Sequence, residues 1–143
     1  MVAPEWTRTN RPMNLSERML FRVLQTLGVP VIPQAQVGPY TVDFLLPDQR
    51  TVVEADGRPY HTSPDDTRHD RERDRHLQGM GYLTIHVWAD YPRTPEGAAK
   101  AWGHVVRRLY LERGWRSPER RAQRLYQRLE ARAHGFSRPD GYV

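Results

Sequence analysis

The chain has no cysteine among its 143 residues. That excludes a disulfide scaffold, a thiolate zinc site and a cysteine nucleophile. Lysine is nearly absent too: 21 of the 22 basic residues are arginine, and Lys100 is the exception. No run approaches the roughly 18 apolar residues of a membrane span, so no membrane partner is expected. The N-terminus, MVAPEWTRTNRPMN, lacks the apolar stretch of a signal peptide, and a soluble cytoplasmic protein is expected. The length favours one compact domain with an ordinary core, which folds without a structural metal.

What is present is charge, unevenly placed. Residues 1–103 hold 12 basic and 13 acidic side chains, a net of −1, and residues 104–143 hold 10 and 4, a net of +6. A nearly neutral body with a basic tail points to a polyanion partner. A solvated helical face is the plainer reading of the same charge.

Residues 1–13 carry Pro4 and Pro12 and little periodicity, and read as a mobile arm. Asn14 and Glu17 fit a capping box, and Leu20, Leu24 and Leu27 recur at helical spacing, which predicts a helix over 15–27. Three strands follow at 31–37, 40–46 and 50–56, punctuated by Gly38-Pro39 and Pro47-Asp48 as in an antiparallel meander. Pro33 makes the first an edge or irregular strand. Ser63-Pro64-Asp65-Asp66 opens a highly charged helix to about Gln78, whose inner face must come from Leu77, Met80 and His69 or Arg73. A strand over 82–88 and helices over 95–111 and 117–135 complete the chain. The expected organisation is an arm (1–13), an α-β-β-β-α-β core (14–92) and a basic helical extension of the same domain (93–143). The fold class is α/β, an α+β arrangement on a mixed sheet, with two added C-terminal helices. Trp102, Trp115 and Tyr126 on those helices serve either the core or a homodimer face.

The chemistry concentrates in the second and third strands. Glu54 and Asp56 share a face with Val52, and Asp43 interrupts the apolar run TVDFLL. Across a tight hairpin Asp43 lies beside Glu54 or Asp56. Like charges on one strand face repel and need a neutralising partner. Converging carboxylates suit a hard cation, Mg²⁺ or Mn²⁺. The abundant arginines are the competing source of positive charge. His61, beyond the Asp56-Gly57 turn, has a side chain able to exchange protons near neutrality, though a loop histidine is also an ordinary surface residue.

In order, Glu17, V-D-F at 42–44, V-E-A-D-G at 53–57, His61, D-R-E-R-D at 70–74, Leu77 and M-G-Y at 80–82 resemble the PD-(D/E)xK nuclease superfamily. The likeness spans about 14–90 and is nearest the branch of very-short-patch-repair endonucleases. It implies a restriction-endonuclease-like fold in which Asp43 and Glu54 bind the metal with the carbonyl of Ala55. Glu17 is either a further metal ligand or only the helix cap. His61 lies near the metal, and Arg73 and Asp74 match the branch's Arg-Asp pair. The superfamily's lysine position holds Asp56, leaving Asp56 or His61 to take over its role.

The expected activity is Mg²⁺- or Mn²⁺-dependent DNA endonuclease, in repair, restriction or mobile-element processing. Asp43, Glu54, Asp56, His61 and Glu17 form the expected catalytic set. Arg58, Arg68 and Arg73 would meet phosphates near the site. Arg120, Arg124 and Arg128, spaced by four, would track the backbone from the tail. A catalytically weak nucleic-acid-binding module of the same fold is the alternative.

Overall fold

A computed structural model of the chain describes residues 4–57 and 64–117, the side chains of 64–67 excepted. Arg58, His61, Ser63, Arg120, Arg124, Tyr126 and Arg128, with most of the expected last helix, lie outside the described residues. The elements are β1 (Trp6–Arg8), α1 (Leu15–Gln25), β2 (Ile32–Val37), β3 (Tyr40–Leu46), β4 (Thr51–Asp56), α2 (Pro64–Gly79), β5 (Leu83–Trp88), a short 3₁₀ turn (Tyr91–Arg93) and α3 (Pro95–Arg113). No helix among the described residues is long and apolar enough to cross a membrane.

The sheet runs β1-β2-β3-β4-β5. The first four strands are antiparallel to their neighbours, and β5 joins β4 in parallel. The mixed sheet is the expected one, and the parallel pair requires the α2 crossover between β4 and β5. Its two faces are covered by different helices. Phe44, Leu46, Val53, Ile85 and Val87 meet Leu20 and Leu24 of α1 and Ala101, Val105 and Leu109 of α3. On the other face Leu45, Val52, Val42 and Tyr82 meet Leu77 of α2. Val52 and Val53 thus serve opposite layers, as strand alternation requires.

The helix ends follow from sequence. Asn14 Oδ1 accepts the Glu17 amide at 2.8 Å while Glu17 Oε1 accepts the Asn14 amide at 3.1 Å, so the capping box is formed. Thr94 Oγ1 accepts the Gly97 amide at 3.0 Å, with Pro95 in the first turn of α3. Trp102 and Trp115 pack against the α1–α3 core, which is the core role of the two expected for them.

The segment read as a mobile arm differs from expectation. Trp6–Arg8 pairs with Ala35–Val37 and makes the sheet edge. Its short length and lack of alternation hid it. What holds it is remote in sequence: Glu5 meets Arg50 at 2.8 Å and Tyr82 Oη at 3.0 Å. β2 is consequently an inner strand over 35–37, and Pro33 lies beyond the last paired residue of β1.

Candidate active site

The acidic residues sit where regular sheet geometry fails. Gln34 has φ +49°, a backbone region uncommon for a residue with a Cβ. No pairing joins Gln34 to Asp43, although Pro33↔Phe44 and Ala35↔Val42 flank them. Val42 and Leu45 both join the α2-side core, whereas strict alternation would separate residues three apart. The sheet therefore shifts its phase at Asp43. On the other side of β3, pairing with β4 ends at Phe44↔Val53. Beyond that point carboxylates replace carbonyls: the Asp43 amide donates to Glu54 Oε2 at 3.1 Å, and the Ala55 amide donates to Asp43 Oδ2 at 2.8 Å. Backbone donors left by the parting strands are satisfied by the acidic side chains themselves.

Glu54 is buried, with a relative exposure of 6%. Burial pushes its carboxyl well above the ordinary range, the Asp43 charge adds to the rise, and Arg73 opposes it. Arg73 reaches in from α2, with its guanidinium 2.5 Å from Glu54 Oε1 and 2.8 Å from the Thr41 carbonyl. The Tyr40 ring lies 5.8 Å from the same guanidinium.

Glu17 approaches from α1. Its carboxyl is raised by burial first and by the Asp43 charge, against the Asn14 amide. It accepts a hydrogen bond from Gln34 Nε2 and makes a side-chain contact with Asp43. Glu17 is thus a helix cap and a neighbour of the acidic pair at once. The structure brings together Glu17, Asp43, Glu54, the Ala55 amide and Arg73. Asp56 ends β4, half-buried, in register with Trp88. Arg68 lies exposed on α2. Arg73, expected in an orienting or phosphate role, reaches the Glu54 carboxylate.

Two residues of the site escaped the sequence reading. His86 stands opposite Glu54 across the parallel pair, with Nε2 2.6 Å from Asp74 Oδ2. A histidine inside the apolar strand LTIHVW was the available signal. Gln34 had only its proximity to Pro33, and nothing in sequence announces a positive φ.

The carboxylates supply hard oxygen donors, and a buried like-charge pair gains from a cation. Among the described residues, however, no three His, Asp or Glu side chains are grouped to enclose a metal ion. The positive group at the pair is Arg73.

Sequence comparison gives this geometry a family. The REase_MTES_1575 family model matches residues 17–102, more than half of the chain, from Glu17 to Trp102. The chain belongs to the REase_MTES_1575 family. It therefore has a restriction-endonuclease-like fold, and the match contains the parted strands, α2 and β5. Among solved structures, the catalytic domain of the homing endonuclease I-Bth0305I is similar, with a TM-score of 0.55 and 15% identity over 70% of this chain and 97% of that domain. That likeness is one of fold. No curated protein matches the chain.

Proposed function

We propose that the protein is a divalent-metal-dependent endonuclease that hydrolyses phosphodiester bonds in DNA, within the very-short-patch-like branch. The observation that carries this reading is the buried Asp43–Glu54 pair at the parting of β3 and β4, in a chain of a restriction-endonuclease-like family. A buried pair of carboxylates at a break in the sheet is a cost to the fold, and such costs cluster at functional sites.

Asp43 and Glu54 are the residues that would hold the metal, and Glu17 stands beside Asp43. A bound divalent metal would supply Lewis acidity at a phosphate oxygen and would lower the pKa of water. The Ala55 and Asp43 amides fix the two carboxylates in orientation, so little reorganisation is required when charge develops. Gln34 holds Glu17 toward Asp43. Asp74 holds His86 beside Glu54 and fixes the direction of its ring. Asp56 and His61 remain candidates for the role of the superfamily's lysine, and Arg58, Arg68 and the tail arginines Arg120, Arg124 and Arg128 for backbone contacts. Repair, restriction and mobile-element processing all fit this chemistry.

The test is cleavage of supercoiled plasmid with Mg²⁺ or Mn²⁺ by wild type, Asp43→Ala and Glu54→Ala. Wild type is expected to cleave only with metal, and both variants to be inactive while folded. Folded wild type that cuts no form of DNA with either metal sinks the reading. Salt-sensitive DNA binding that survives both substitutions would then favour the binding module.

A further inference from the structure

We infer that Arg73 and the divalent cation compete for Glu54, so that Arg73 is the counter-ion of the metal-free site and must release Glu54 when the metal binds. The inference rests on the metal-dependent reading above.

Of the two Glu54 oxygens, Oε2 is hydrogen-bonded and Oε1 is ion-paired to Arg73 without a hydrogen bond. Oε2 accepts the Asp43 amide at 3.1 Å, and Oε1 faces Arg73 at 2.5 Å. The first partner is backbone and cannot leave without disturbing β3. The second is the tip of a long side chain on another element. A cation shared by Asp43 and Glu54 needs an oxygen of Glu54, so the mobile partner is the one to yield. Charge gives the same answer. A guanidinium and a dication on one carboxylate repel at close range, in a place too buried for water to screen them. Arg73 also has somewhere to go. Its side chain is 24% exposed against 8% for Glu54, so its path leads outward. Thr41 and the Tyr40 ring, its other contacts, keep the displaced guanidinium at the mouth of the site.

The competition also explains why the acidic residues tolerate one another without metal. An uncompensated buried carboxylate is costly, and one matched cation removes much of that cost. β4 itself provides an aspartate, Asp56, where the superfamily has lysine. The compensating charge therefore comes from α2, and it comes to Glu54.

The experiment measures Mn²⁺ affinity by calorimetry at about pH 8, well above the ordinary carboxylate range, for the full chain as wild type, Arg73→Gln and Arg73→Lys. A site closed by Arg73 nine-tenths of the time binds about tenfold more weakly than an open one. Arg73→Gln is thus expected to bind Mn²⁺ about tenfold more tightly or better, with a larger Mn²⁺-induced rise in unfolding temperature. Arg73→Lys keeps the charge but cannot span Glu54 and Thr41 together, and falls between. It also serves should the glutamine variant not fold. Equal or weaker Mn²⁺ binding by the folded variants overturns the competition and leaves the nuclease reading standing. No Mn²⁺ binding by wild type or variants overturns both. A crystal of the wild type soaked in Mn²⁺ gives the direct view: Glu54 on the metal with Arg73 out of ion-pair reach is expected. The pair intact beside a metal-bound Glu54 refutes it.

Discussion

β4 has an arginine–glutamate pair near each end, and the two glutamates titrate in opposite directions. Near its start Arg50 meets Glu5 at 2.8 Å, with the side chains 43% and 59% exposed. The carboxyl of Glu5 is held below its ordinary range by hydrogen bonds from Arg50 and then Tyr82. Toward its other end Arg73 meets Glu54 more closely, at 2.5 Å, yet Glu54 is pushed up. Burial decides the difference. Water still supports most of the Glu5 charge, whereas Glu54 has lost its hydration and faces Asp43. The Arg50 end is a clamp: its guanidinium also binds the Met80 carbonyl at 2.7 Å and lies 4.6 Å from the Tyr82 ring. Arg113 ties the same corner through the carbonyls of Gln49, Arg50 and Gly81. One end of β4 spends its ion pair on joining loops. The other keeps a charge that the fold alone disfavours.

Cleavage is expected to separate the two ends most sharply. Asp43→Asn is expected to lower the metal-dependent cleavage rate about a thousandfold or more, because a ligand to a Lewis acid is worth several kcal/mol in the transition state. Arg50→Gln, at the clamp, should keep the rate within a few fold provided it folds. Initial rates on supercoiled plasmid check both. Comparable losses in the two variants would erase the distinction between a chemical and a structural end.

Stability gives the next effect, with opposite sign. Burial and Asp43 together outweigh Arg73 at Glu54, so the folded protein favours the charged form less than the unfolded chain does. Glu54→Gln should stabilise the metal-free protein near neutral pH by about 1 kcal/mol, or a few degrees in Tm, while abolishing cleavage. The pH dependence follows. The folded pKa of Glu54 lies above its unfolded value, so its stabilising contribution is complete below the ordinary 4.5 and is lost as pH rises through the raised value. Thermal melts of wild type over that rise should lose stability that Glu54→Gln retains. A glutamine variant less stable than wild type at neutral pH would mean that the Arg73 contact outweighs the other two influences.

The sequence was legible where local physics governs. The α1 capping box, the Thr94-Pro95 start of α3, the bounds of β3 and the split of Val52 from Val53 all rest on contacts within a few residues or on strict alternation. The acidic cluster was legible as types and spacing: Asp43 in an apolar strand and Glu54 one hairpin away. Its internal wiring was not. Arg73 lies 19 positions beyond Glu54 and His86 a further 13, and only the α2 crossover brings all three together. The distortion at Gln34 is a backbone state that no residue type there announces. β1 was missed because three residues held by Glu5, Arg50 and Tyr82 carry no periodic signal.

The smallest expected effect tests what kind of bond the clamp is. Glu5 loses its contribution as pH falls through its lowered pKa, the reverse of Glu54. Its exposure keeps that contribution slight, so Glu5→Gln should lower Tm only marginally at low salt. At about 1 M salt the screening length shrinks to about 3 Å, and the Coulombic part of the Arg50 contact fades. The gap between Glu5→Gln and wild type should then close, while the Glu54→Gln gain, set by burial, persists. A Glu5→Gln gap that ignores salt would assign the hold on β1 to the Tyr82 hydroxyl, 3.0 Å from Glu5, whose hydrogen bond needs an acceptor oxygen but no net charge.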